Sequence, residues 1–452
     1  MNKLEEEMKK VILVGLLVLI LVSLSIFGGC SSAATSTTNA VLPTPSGSLA
    51  VTSATAASQP AASASQPASQ SVQTPVTAAK TLKIGLVLWE GWFVGVDTLR
   101  AIELYVDMEN AKGGFDIGGE KYKIDLIAYD NNNTKTTEVA AVNRLVFEDK
   151  VQYIISGGSY CSAWLPVTEK NKVIVLTYQP DWQQVLDPQY HYVFSPSFMN
   201  TQITSFTGWL NSKYPDLVKN IVFPLQDNGF GHSVEAKETP VWKSLGVTPT
   251  FIYYPATQTD LSSAATKVME LNPTAVNPTS TDNLMIKALY QAGYKGLIYE
   301  DAGTSVQTLA SMVPIEALEG YISCAEPMEF ETTPVDAPLA KEYKAAWIAK
   351  YGSWTNAEVG GIAYCGFLKS ALQKAGTLDT DKMADMIAEG LAFDTPVGAG
   401  QMISRPDLGI DRAVDSIATN YVKQVKDGNP VLLDTISIEA GLKSFRAAYP
   451  AK

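Results

Sequence analysis

From Leu82 onward the chain repeats one unit: a short apolar run, a turn, then a stretch whose apolar residues recur at helical spacing. No other feature restricts the fold as strongly. The run Leu82–Leu88 reads as a strand buried on both faces. Leu99, Ile102 and Val106 then share one helical face, and Gly113 and Gly114 supply its stop. Ile124, Leu126 and Ala128 alternate as a strand does, and Asp130 to Thr134 is turn chemistry. Thr136 or Thr137 is placed to cap a helix whose inward face carries Val139, Val142 and Val146. Val151–Ile155 and Val173–Leu176 read as the next two strands. Strands separated by helices imply right-handed βαβ units and a parallel sheet.

After a break around Ser195 to Asn200 the pattern restarts. Asn220–Leu225, Phe251–Tyr254, Thr274–Asn277 and Gly296–Tyr299 read as strands. Leu261, Ala264, Val268 and Leu271 form one helical face, and Leu284, Ala288 and Ala292 another, stopped at Gly293. Two similar α/β halves in one chain suggest two lobes with a cleft between them. Ligands of open parallel sheets bind beyond the carboxyl ends of the strands, so the loops there are the candidate site.

The first eighty residues follow other rules. Lys9 and Lys10 precede an apolar run from Val11 to Phe27, followed by Gly28, Gly29 and Cys30. A basic start, an apolar middle and small residues before a cleavage point describe an export signal. The end F-G-G-C resembles a bacterial lipobox, which implies cleavage before Cys30 and lipid on its sulfur. The alternative is a retained anchor, although the run barely reaches bilayer length and no Lys/Arg cluster follows it. Two acyl chains give stable anchoring where one is marginal. From Ser31 to Ala79 the chain is almost wholly Ser, Thr, Ala, Pro and Gln, with no charge and no aromatic residue. Such a segment cannot bury enough surface to offset its ordering entropy and reads as a disordered tether, with a reach of roughly 40 Å.

The net charge of −12 and the absence of a basic patch argue against nucleic acid as a partner. Of the four cysteines, Cys161, Cys324 and Cys365 lie in the folded part, an odd number. They fit either a Cys324–Cys365 disulfide or buried free thiols, and their spacing matches no zinc site. His191 and His232 are the two histidines, and neither has a metal-ligand partner at short spacing. G-G-S-Y-C departs from the nucleophile-elbow pattern at its last position. D-N-N-N-T lacks the Gly and distal Glu of a calcium loop. No phosphate-binding loop or cofactor motif occurs. Neither a catalytic residue, a metal nor a cofactor is expected, and a surface hydrolase is the weakest of the functional alternatives.

The stretch I-G-L-V-L-W-E-G-W-F-V-G-V-D-T-L-R-A-I-E-L-Y-V-D-M-E-N-A-K-G-G resembles the first βα unit of type I periplasmic binding proteins, the Leu/Ile/Val-binding group. Y-K-I-D-L-I-A-Y-D, V-Q-Y-I-I-S-G-G-S-Y-C-S, V-I-V-L-T, I-V-F-P-L-Q-D-N-G-F-G-H-S, A-G-Y-K-G-L-I-Y-E-D-A-G and A-L-E-G-Y follow in the family's order. The resemblance covers nearly all of Leu82 to Pro450. It implies an α/β fold of two Rossmann-like lobes joined by a multi-strand hinge. Residues 1–29 are then the signal and 30–80 the lipidated Cys and tether. Lobe 1 takes 81–198 and 324–396, and lobe 2 takes 199–323 and 397–452. The implied function is extracytoplasmic solute binding for an ABC importer, with membrane permease subunits as partners. A receptor that signals to a membrane partner shares the fold.

The resemblance also assigns residues. The loop after the third strand, with Tyr160, Cys161 and Ser162, matches one that offers hydroxyl and backbone N–H groups to a ligand carboxylate. Gln179 and Asp181 match a second such turn. Phe230 stands where the family has a cleft aromatic, and Thr279 matches a loop of the second lobe. The family's acidic ligand for an ammonium aligns with Ala302, and Asp301 lies one place earlier. Each assignment has a structural alternative: Ser159 and Ser162 as helix caps, Phe230 as core, Asp301 as a turn residue. Trp89, Trp92, Tyr160, Trp164, Tyr178 and Trp182 cluster in the same loops and favour a ligand with an apolar or aromatic part, an amino acid or a carboxylate.

Overall fold

The computed structural model describes residues 80–91, 93–177, 185–196, 198–279, 282–301, 304–330, 337–354 and 360–451. The signal, Cys30 and the tether lie outside them, as do Trp92, Tyr178, Gln179, Asp181 and Trp182.

The first half builds a sheet of six strands: β1 (Lys80–Leu88), β2 (Phe115–Ile117), β3 (Glu120–Asp130), β4 (Tyr153–Ser156), β5 (Ile174–Thr177) and β6 (Val193–Phe194), in the order β2-β3-β1-β4-β5-β6. All neighbours are parallel except β2, which forms a hairpin with β3. The apolar run in β1 is continuous because both faces are covered. Leu82, Ile84, Leu86 and Leu88 enter one core with Ile102 and Val106, while Val87 enters the other with Val142, Ile154 and Leu165. The helix Phe93–Ala111 stops where the sequence predicts: Gly114 takes φ +90° and its N–H closes onto the Glu109 carbonyl at 2.8 Å.

The second half builds a seven-stranded sheet from β7 (Ile221–Asp227), β8 (Thr250–Pro255), β9 (Ala275–Val276), β10 (Leu297–Glu300) and β11 (Ile322–Ala325). Two later strands, β15 (Asn420–Lys426) and β16 (Asn429–Ile436), complete its edge in the order β16-β15-β11-β10-β9-β7-β8. β7 to β11 are parallel, and β15 and β16 run antiparallel. Between the two groups β12 (Ala392–Thr395), β13 (Gly398–Arg405) and β14 (Ile410–Ala418) form a small antiparallel sheet.

The chain passes between the halves in three places: after β6, after β11, and between β14 and β15. Helices Pro338–Tyr351 and Gly360–Ala375 return to the first core, where Lys369 reaches Glu109 at 2.7 Å. The first crossing is laced to β14, with Ser195 N–H donating to the Val414 carbonyl at 2.8 Å and Ser416 Oγ to the Ser195 carbonyl at 2.8 Å. Nearby, the fully buried Arg405 donates to Asp407 at 2.8 Å and Asp415 at 2.7 Å.

Several expectations change. Cys324 and Cys365 are buried thiols in different cores and form no disulfide, and the buried Cys161 forms none either. The cap of helix Lys135–Arg144 is Thr134, which accepts from Thr137 N–H; Thr136 and Thr137 lie inside the helix. Helix Leu165–Lys170 has no side-chain cap, so Ser159 and Ser162 do not play that part. Trp164 is 0% exposed and belongs to the core, not the cleft. Leu271 follows the last turn of its helix and is exposed.

Candidate functional site

The loops at the carboxyl ends of the first sheet are held by their own polar groups. Asn131, just past β3, is buried: its N–H donates to the Leu88 carbonyl at 2.9 Å, and its side-chain oxygen accepts from Asn133 N–H at 2.9 Å. Beyond β4 the loop Gly157–Tyr160 leaves the sheet, with Gly157 N–H donating to the Val87 carbonyl at 2.9 Å. Beneath it lies Glu138, fully buried on helix Lys135–Arg144. Its carboxylate accepts from Tyr160 N–H at 3.1 Å, Trp164 Nε1 at 2.9 Å and Asn131 Nδ2 at 3.1 Å. Burial pushes this carboxyl upward, and those hydrogen bonds draw it only part of the way back.

The predicted residues of this loop separate. Tyr160 and Ser162 are exposed and can meet a ligand. Cys161 is 1% exposed; its thiol lies 3.2 Å from Ser156 Oγ and 3.5 Å from Thr177 Oγ1, facing inward.

In the second half, Asn228 caps helix Gly229–Ser244 by accepting from Gly231 N–H, which leaves Phe230 in the first turn and 50% exposed. The core reading of Phe230 therefore falls away. Asn277, just past β9, is buried; its oxygen accepts from Thr279 N–H at 3.1 Å, and its Nδ2 lies 3.5 Å from Asp301 Oδ1. Asp301 follows β10 directly and is itself buried. Burial pushes its carboxyl up. Glu238 stands close by, pushed well above the usual range by burial and then by the Asp301 charge. Among the described residues, Glu238 Oε2 has no hydrogen-bond partner, and the Trp242 indole only partly offsets the burial of this carboxyl.

Asn131, Glu138, Asn277 and Glu238 were not anticipated from the sequence. A signal existed for Glu138, which falls one turn before Val142 on an otherwise apolar face. No group of three or more potential metal ligands occurs among the described residues. The histidines are engaged elsewhere, His191 with Asp385 at 3.2 Å and His232 with Asp227 at 3.0 Å. No helix among the described residues is long and apolar enough to cross a membrane.

Two lobes built on parallel sheets and joined by three connections are the architecture of a two-lobed binding protein. A family model described as periplasmic binding protein matches residues 89–416, and the chain belongs to that family. Solved structures agree on the fold. A leucine-binding protein from Thermotoga maritima is 21% identical with a TM-score of 0.61, over 79% of this chain and 99% of its own. An ABC-transporter solute-binding protein from R. palustris, solved with benzoate, is 18% identical with a TM-score of 0.62, over 79% and 96%. A branched-chain amino acid transporter substrate-binding protein from Streptococcus pneumoniae, solved with isoleucine, is 17% identical with a TM-score of 0.58, over 79% and 99%.

Proposed function

We propose that this chain is the solute-binding component of an ABC importer, held outside the cytoplasm by lipid on Cys30. It works by closing its two lobes around a small organic ligand. That ligand has an apolar or aromatic part and is an amino acid or a carboxylate. The observation that carries this reading is the set of exposed groups that follow strands in both halves. The segment after β4 offers exposed Tyr160 and Ser162; in the second half the helix turn after β7 offers exposed Phe230 and the loop after β9 part-exposed Thr279. Aromatic faces supply stacking area, and a few placed polar groups set orientation. Solved neighbours were crystallised with benzoate and with isoleucine, which is the range of chemistry proposed here. Trp92, Gln179 and Asp181 are proposed to complete the first wall. Binding and hinged closure involve no covalent step.

A thermal-shift screen against amino acids, amides and aromatic acids tests the reading. A ligand at a hundred times its dissociation constant adds about 2.7 kcal/mol of stability. A screen in which no member shifts the melting temperature counts against it. Cys30→Ala tests the anchor separately: the protein should leave the membrane fraction or persist as an uncleaved precursor.

A further inference from the structure

We infer that Glu138 is a built-in anion that fills the carboxylate seat of the first cleft loop, so the ligand end meeting this lobe is uncharged or cationic. The inference rests on the solute-binding reading and narrows it. Every backbone N–H of the loop Gly157–Tyr160 already has an acceptor within the chain. Gly157 uses the Val87 carbonyl, Gly158 uses Ser156 Oγ at 3.2 Å, and Ser159 and Tyr160 turn toward Glu138. Trp164 Nε1 and Asn131 Nδ2 complete the cradle. The fit is close: a Cβ on Gly158 would stand 2.3 Å from the Glu138 carboxyl carbon and 2.4 Å from both its oxygens.

A donor that already serves a buried charge has little to offer a second anion. A ligand carboxylate brought to the same loop would also meet the field of Glu138 at close range, where like charges repel strongly. What the loop still shows to the cleft is the Tyr160 ring and the Ser162 hydroxyl, groups suited to an aromatic or a neutral hydrogen-bonding partner. Glu138 is thus a positioning residue: it sets the place of Tyr160 and Trp164 and touches no ligand itself.

Formate tests the seat without knowledge of the ligand. In the 15N-labelled full chain, added formate should leave the Tyr160 amide and Trp164 indole signals of the wild type unmoved. In Glu138→Ala the same formate should shift both signals and raise the melting temperature, because a free carboxylate enters the vacated cradle. Movement of the Tyr160 amide in the wild type overturns the inference, and so does a folded Glu138→Ala that ignores formate. Should Glu138→Ala fail to fold, matched pairs on the wild type decide: benzoate with benzamide, and leucine with leucinamide. Amide and acid should bind within about threefold of one another, whereas a loss of more than about tenfold on amidation overturns the inference. If no pair member binds at all, the solute reading fails, while the wild-type formate titration still decides whether the loop is open.

Discussion

Each lobe buries a carboxyl group behind its strand-end loops, and the two lobes treat it in opposite ways. Glu138 in the first lobe is surrounded by donors: a backbone N–H, an indole N–H and an amide, at 2.9–3.1 Å. Glu238 in the second lobe has an unpartnered Oε2 and a second buried carboxyl, Asp301, as its electrostatic neighbour. A buried charge is tolerable when it is solvated by the protein and costly when it is not. The first carboxylate therefore organises structure as an anion. The second is relieved by holding a proton.

Removing each group should break this contrast most directly. Glu138→Ala strands the buried Trp164 and Asn131 donors and the part-buried Tyr160 N–H, so it should cost about 3 kcal/mol, read as a lower urea midpoint at unchanged slope. A loss of only a few tenths would mean that the donors find water or other acceptors. Trp164→Phe removes a single donor from the same carboxylate and should cost about 1–2 kcal/mol.

Glu238→Gln should move the other way, stabilising the protein by on the order of 1 kcal/mol near neutral pH. The sign follows from linkage. Burial raises the folded-state value of this carboxyl above its ordinary 4.5, so the folded protein keeps a proton that the unfolded chain has released. The stability this gives is present below the ordinary value and is lost as pH rises through the raised one. The variant and the wild type should therefore melt together in acid and separate toward neutral pH. A variant less stable than the wild type at neutral pH would show that Glu238 is ionised and usefully paired.

The smallest effect on stability belongs to Phe230→Ala, within about 0.5 kcal/mol, because the ring is half exposed. Its effect on affinity for an aromatic ligand should be the larger of the two, read by titration. Equal and negligible effects on both would remove Phe230 from the cleft.

The sequence made eight of the first eleven strands legible, all but β2, β6 and β11, and said little about residues 392–436. β1 and β5 are continuous apolar runs and β3 alternates, so their faces are written in their residues. β13, β14 and β15 instead carry Arg405, Asp415 and Lys423, which read as solvent-facing. Their burial depends on partners distant in the chain, as when Lys423 meets Glu329 at 2.7 Å. Antiparallel pairing of that kind leaves no local periodicity. The site divides on the same line. Tyr160, Ser162 and Phe230 were expected there because loop residues after strands can be counted along the chain, and all three are exposed. Glu138 was missed because its meaning lies in Tyr160 and Trp164, twenty-two and twenty-six positions away.

The three crossings between the lobes have a mechanical consequence. A single connector would behave as a swivel and let one lobe wander over a wide solid angle. Three connectors side by side, with the first fastened to β14 at Ser195, resist twisting and stretching together. Bending across the row is what they leave soft. The search for a closed pose is thereby reduced to nearly one coordinate, and a captured solute has few wrong lids to meet.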